Sequence, residues 1–184
     1  MTDSKSILRL RHKYTRDPDH VPADINAQAL IDDQSLLRAA LGALFALVVL
    51  NTIWVYSSML FDRFFPWGSV IQGLFIGRAV RYFGLGIDWR FPALAAVFAV
   101  FSAFTGSFVA ALNLTAREFS TGALALLTET SWHTVVTFVS RDFGVVGVIY
   151  ALTGAALAAF FASRRLNWRE AQALQKLGEQ DKHE

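Results

Sequence analysis

Four stretches of this sequence contain no Asp, Glu, Lys, Arg or His, and they constrain the fold more than any other feature. They cover residues 39–61, 64–77, 91–116 and 143–163. A helix rises 1.5 Å per residue and the bilayer core is about 30 Å thick, so about 20 apolar residues cross it. The first, third and fourth stretches reach this length. The second reaches it only if it continues to about residue 83, with Arg78 and Arg81 extending to the head groups.

A soluble helical bundle is the alternative interpretation, and the pattern within the stretches argues against it. A soluble helix carries a polar stripe with a period of 3.6 residues, and residues 40–50 and 93–101 have none. The sequence therefore predicts an all-α membrane protein. Its four transmembrane helices are expected over residues 37–61, 65–83, 91–113 and 143–163. The first stretch follows a charged segment, which is unlike a cleaved signal peptide.

The distribution of Lys and Arg predicts the orientation. Fourteen of the 17 basic residues lie in residues 1–38, in the connection between spans two and three, and in residues 164–184. The other two connections hold the remaining three, which are Arg63, Arg117 and Arg141. Because basic residues favour the cytoplasmic side, we expect both termini in the cytoplasm and a location in a cell inner membrane.

The principal alternative topology adds a fifth span over residues 122–140. Glu129 and His133 would then lie near the bilayer centre, where ionisable groups are costly. We instead predict two short interfacial helices within residues 114–142, with a break near Thr130 and Ser131. A cytoplasmic segment over residues 1–35, with Asp33 or Ser35 capping span one, and a helical cytoplasmic tail over residues 164–184 complete a single domain of 184 residues. The tail is expected to continue span four as a helix to Leu177.

The connection between spans two and three concentrates the chemistry of the sequence. Arg78 and Arg81 are three residues apart and share a helix face at the inner boundary. Asp88 is expected to cap span three or to pair with one of these arginines, and Arg90 follows it. Paired guanidinium groups bind phosphates and carboxylates. These four residues are therefore a candidate contact for an anion or a lipid head group, although a basic loop that only sets topology would show the same pattern.

This connection resembles a segment of small, uncharacterised, four-span bacterial inner-membrane proteins. The resemblance lies in Gly77, Ala79-Val80-Arg81, Gly84 and Gly86-Ile87-Asp88. It implies the bacterial membrane class and carries no activity with it.

Small residues recur at intervals of four in three spans. Gly73 and Gly77, Gly106 with its neighbours, and Gly154 with its neighbours each form a face that lets membrane helices approach closely. These residues are the candidate helix-packing faces. They serve either packing within the chain or contact with further copies or other subunits.

The outer connection offers Glu129 and His133, four residues apart, as a candidate polar cluster. One such pair supplies too few ligands for a metal site. The chain has no cysteine, which excludes thiol catalysis and Cys-ligated metals, and no nucleophile elbow, phosphate loop or dinucleotide fingerprint is present. Neither a catalytic residue nor a cofactor is predicted.

The function expected from these features is that of a non-enzymatic membrane protein that acts by assembly, as an accessory subunit or a self-associating scaffold. Its expected partners are membrane lipids, other membrane subunits or further copies of itself, and no nucleic acid, because the formal net charge is only +2. The alternative is a small homo-oligomeric channel or transporter lined by Asn51, Thr52 and Gln72. A lipid-active enzyme that uses Arg78, Arg81 and Asp88 is the third hypothesis.

Overall fold

The computed structural model describes residues 27–63, 65–164 and 166–180, and every regular element in these ranges is helical. The elements are α1 Ala27–Asp32, α2 Leu36–Phe61, α3 Gly68–Gly84, α4 Arg90–Glu118, α5 Ala123–Glu129, α6 Trp132–Thr137, α7 Gly144–Ala162 and α8 Trp168–Gln180. A π-helical segment, Phe138–Phe143, joins α6 to α7. The prediction of an all-α protein is confirmed for the described residues. Most of the expected N-terminal segment 1–35 lies outside them.

Helices α2, α3, α4 and α7 form a bundle in which α3 and α4 occupy the centre. Each of these two packs against the other three bundle helices, whereas no Cα atom among the described residues of α2 lies within 8 Å of one in α7. The most extensive packing joins α3 to α7. The bundle therefore has a diamond-shaped cross-section, with α2 and α7 at its far corners.

Three of the bundle helices, α2, α4 and α7, are long and apolar enough to cross a membrane. This agrees with the first, third and fourth predicted spans. Helix α3 has 17 residues, which corresponds to a length of about 25 Å. It is the shortest bundle helix and has the most polar sequence of the four.

The bundle places small residues inside and large apolar residues outside. Seven of the ten residues in its central cluster are alanines, and the others are Ile76, Val80 and Phe91. Large side chains on the outer faces are exposed, including Leu37 at 71%, Phe45 at 68% and Val145 at 76%. Exposed apolar surface of this extent is unfavourable in water, so the bundle is built for an apolar surrounding.

The beginning of α2 and the end of α3 are joined by backbone and side-chain hydrogen bonds. The Ser35 N–H donates to the Gly84 carbonyl (3.1 Å), and the Ile87 N–H donates to Gln34 Oε1 (3.1 Å). Ser35 Oγ also accepts from the Arg38 N–H (3.3 Å), so Ser35 is the N-cap of α2. At this same end of the bundle α1 packs against α8.

The connection between α4 and α7 contains two short helices with a break at Thr130 and Ser131, as predicted. Helix α4 continues to Glu118, five residues beyond the predicted end of span three at 113, and residues 114–116 of this extension are uncharged. A continuous fifth span over residues 122–140 is not formed, since α5 has seven residues and α6 has six. Gly144 has φ +49°, a backbone conformation that glycine adopts without a steric penalty, and it separates the π-helical segment from α7.

The tail does not continue span four, so this prediction was wrong. Helix α7 ends at Ala162, and α8 begins separately at Trp168 and extends past Leu177 to Gln180. The cause lies in Asn167 and Glu170, since Glu170 Oε2 accepts a hydrogen bond from the Asn167 N–H (2.8 Å). A carboxylate that bonds back to the N-cap amide starts a new helix at this point.

Candidate functional site

Four polar side chains form a hydrogen-bonded network in the interior of the bundle. Gln72 Nε2 of α3 donates to Asn51 Oδ1 of α2 (2.9 Å), and Asn51 Nδ2 donates to Thr105 Oγ1 of α4 (3.0 Å). Ser102 Oγ of α4 lies 3.0 Å from Gln72 Oε1 and 3.3 Å from Asn51 Oδ1. Gln72 is only 3% exposed. The network joins α2, α3 and α4 at one depth. The side-chain oxygens of Asn51 and Gln72 both accept hydrogen bonds within it.

The network decides whether Asn51, Thr52 and Gln72, the channel-lining residues suggested by the sequence, can line a path through the bundle. Asn51 and Gln72 bind each other and α4, and a Cβ atom added at Gly106 would lie 2.6 Å from Asn51 Oδ1, so there is no open space between these groups. Thr52 is exposed and its hydroxyl donates to the Val48 carbonyl (2.8 Å). The three residues therefore do not line a common path within one bundle.

The candidate packing glycines all contact other parts of the same chain. A Cβ atom at Gly73 would lie 2.1 Å from the Gly154 carbonyl oxygen, and one at Gly77 would lie 2.4 Å from the Ala158 carbonyl oxygen. Helices α3 and α7 thus approach backbone to backbone, in parallel. Gly106 instead faces the side chains of Asn51 and Trp54 of α2. These faces are already occupied within the bundle and are not free for a second molecule.

A groove of about 910 Å³ lies on the side of the bundle that α2 and α3 form. Its walls are formed by residues from 42–50 of α2 and from 75–85 at the end of α3, and Arg164, Asn167 and Glu170 line the end at which α7 stops. Arg78, Arg81 and Arg164 line it together with Glu170. We call this feature the arginine groove.

Two of the three arginines in the arginine groove are held by neighbouring side chains. The Arg78 guanidinium carbon lies 5.3 Å from the centre of the Phe161 ring, a cation–π contact. Arg164 Nη2 lies 3.1 Å from Glu170 Oε1. Arg81 makes no side-chain hydrogen bond or ion pair with the described residues. Neither Arg78 nor Arg81 therefore has a hydrogen-bond acceptor among the described residues, and Arg81 also lacks a cation–π contact there.

The sequence pattern indicated Arg78 and Arg81 as candidate site residues. It did not predict that Arg164, Asn167 and Glu170 would lie beside them. The available signal was the Asn-x-x-Glu spacing of Asn167 and Glu170 directly after span four. This spacing is typical of a helix start. It indicates a turn, and a turn at this position brings Arg164 to the end of α3.

Asp88 and Arg90 do not join this group. Asp88 does not cap α4, whose N-cap is Trp89 without a side-chain hydrogen bond, and it does not pair with Arg78, Arg81 or any other described arginine. Both residues are exposed and lie outside the groove. The predicted roles of Asp88 were wrong because α3 ends in a left-handed turn at Leu85 (φ 50°), after which the chain runs to α4 on the surface.

The outer candidates, Glu129 and His133, lie on different helices. Glu129 ends α5 and His133 is the second residue of α6. His133 lines a separate cavity of about 630 Å³ between α4 and α6, with Phe108, Thr134 and Thr137 among its neighbours. Among the described residues no group of three or more His, Cys, Asp or Glu side chains lies close enough to hold a metal ion. The two residues therefore do not act as a pair on one helix face.

Comparison of this chain with protein-family models, with curated proteins and with solved structures finds no match.

Proposed function

We propose that this chain is a four-span bacterial inner-membrane protein that is not an enzyme and acts by assembly, as an accessory subunit or a scaffold. The observation that supports this proposal most directly is the arrangement of its interior. The polar groups of Asn51, Gln72 and Ser102 are hydrogen-bonded to one another, and the small-residue faces are packed within the chain. The bundle interior serves stability, so the chain acts through its surface.

The proposal includes α3 as the fourth span. Its side chains pack against the other three bundle helices, and Gln72 and Gly73 are buried at its centre. The length of about 25 Å is short for a core of about 30 Å, and local thinning or snorkelling accommodates such a mismatch at modest cost. Arg78 and Arg81 occur in its last two turns, where their long side chains reach the head groups.

The proposed orientation places α1 and α8 on the cytoplasmic side. These two helices pack against each other at the end of the bundle where α2 begins and α7 ends. The same end of the bundle holds Arg38, Arg78, Arg81 and Arg164. Because basic residues are enriched on the cytoplasmic side of membrane proteins, this end is assigned to the cytoplasm. Helices α5 and α6 then lie at the opposite interface.

The assembly is tested by measuring the mass of the protein extracted from native membranes with a mild detergent. We expect a complex of fixed stoichiometry, larger than the 20.4 kDa chain, that persists on dilution into excess empty micelles. Further copies of the chain in it would identify a scaffold, and another membrane subunit would identify an accessory role.

Two results would contradict the proposal. The first is a monomer without a partner at every dilution. The second is solute or ion flux through proteoliposomes above that of empty vesicles, which would favour a channel formed between copies.

A further inference from the structure

We propose that the arginine groove binds one anionic phospholipid, with the phosphate at Arg78, Arg81 and Arg164 and one acyl chain along α2 and α3. This inference rests on the membrane location that the proposed function assigns to the chain. It adds a ligand and a site, which the assembly role does not require.

The charges at the closed end of the groove favour an anion. Three arginines and one glutamate line it, which leaves a net charge of +2. Glu170 is already engaged by Arg164 Nη2 on one oxygen and by the Asn167 N–H on the other. Since a guanidinium group has five N–H donors, most donors of the three arginines remain available. Arg81 in particular has no acceptor among the described residues.

Two of these arginines, Arg78 and Arg164, are held by neighbouring side chains before any ligand binds. The Phe161 ring supports Arg78 from α7, and Glu170 holds Arg164 at the start of α8. Arg78 and Arg81 are one helical turn apart, so their side chains emerge from the same face of α3. A phosphate group in contact with Arg78, Arg81 and Arg164 would meet donors from α3 and from the segment between α7 and α8.

The remainder of the groove is apolar and extends in the direction that an acyl chain would take. From Gly42 to Leu50 the α2 wall rises about 12 Å, and one leaflet of the hydrocarbon core is about 15 Å deep. Phe45, Val49 and Phe75 line this part and are 68%, 40% and 48% exposed. Such a groove, with cationic groups at one end only, matches an amphiphile with an anionic head. A free phosphate would leave this apolar part unfilled.

The test compares lipid binding by the full-length protein and by matched arginine variants. Protein in nanodiscs of phosphatidylcholine is titrated with phosphatidylglycerol, and bound lipid is counted by native mass spectrometry. We expect one tight site that selects phosphatidylglycerol. Arg81→Gln should weaken its binding about fivefold, and Arg78→Gln should have a similar effect. Arg90→Gln is the control, because Arg90 lies at the same end of the bundle outside the groove, and it should leave binding unchanged.

Three outcomes would overturn the inference. They are equal retention of phosphatidylcholine, equal loss of binding in Arg90→Gln and Arg81→Gln, and binding of inorganic phosphate that is as tight as that of the lipid. The last would identify a site for a free anion. Failure of the protein to enter nanodiscs at all would instead contradict the proposed membrane function, so the two failures are distinguishable.

Discussion

At the scale of single residues, the polar side chains within the spans determine how the helices fit together. An amide in an apolar surrounding is costly unless it is hydrogen-bonded, and Asn51 and Gln72 meet this requirement through each other and through α4. Both residues were visible in the sequence as exceptions within apolar stretches. Ser102 and Thr105 were not distinguishable from the other small residues there, since their role depends on which helix faces which.

Two buried serines provide a matched pair to test this network. Ser102→Ala should destabilise the protein by about 1 kcal/mol, because Gln72 Oε1 loses its hydrogen-bond partner. Ser58 is equally buried, but its Oγ has no hydrogen-bond partner within the part of the chain that the structure describes. Ser58→Ala should therefore cost nothing or be slightly stabilising. The measurement is reversible unfolding in mixed micelles, and a larger loss in Ser58→Ala than in Ser102→Ala would refute this account of the core.

At the scale of helices, the predicted bounds of α2 and α7 are correct to within one residue, whereas α3 begins three residues later and α4 ends five residues later than predicted. Apolar length and terminal signals such as Ser35 are local properties, and they persist in the structure. The tail was mispredicted because hydropathy and charge do not reveal the break before α8, which depends on Glu170 bonding back to Asn167. The sequence also did not predict that α3 packs against α7, because small-residue faces on three spans allow several helix pairings.

The close contact of α3 with α7 predicts a strong effect of one added methyl group. Gly73→Ala places a Cβ atom against the backbone of Gly154, and overpacking of this kind costs about 1–3 kcal/mol. Gly122→Ala is the control, because nothing lies within 4 Å of the position its Cβ atom would take. Thermal unfolding in detergent should show a lower midpoint for Gly73→Ala only. Equal midpoints for both variants would mean that α3 and α7 are not in contact.

At the scale of the whole molecule, the bundle reverses the usual distribution of side-chain size. Alanines and glycines occupy the interior and large aliphatic and aromatic side chains cover the outside. Four tryptophans, Trp67, Trp89, Trp132 and Trp168, are exposed near helix ends, whereas Trp54 is buried. This pattern fits a bundle surrounded by lipid with an aromatic belt at each interface. Composition and periodicity predicted the membrane class, but the arginine groove depends on three separate segments meeting, which no local pattern encodes.

Cysteine labelling tests the four-span arrangement most directly, because the natural chain has no cysteine. Four exposed positions, each changed singly to Cys, report the three connections between spans and the C-terminal helix: Arg63, Asp88, Thr121 and Gln172. With a membrane-impermeant maleimide, Arg63→Cys and Thr121→Cys should react in intact spheroplasts. Asp88→Cys and Gln172→Cys should react only after the membrane is permeabilised. Labelling of Arg63→Cys and Asp88→Cys from the same side would show that α3 does not cross the membrane, and labelling of Gln172→Cys in intact spheroplasts would contradict the proposed orientation.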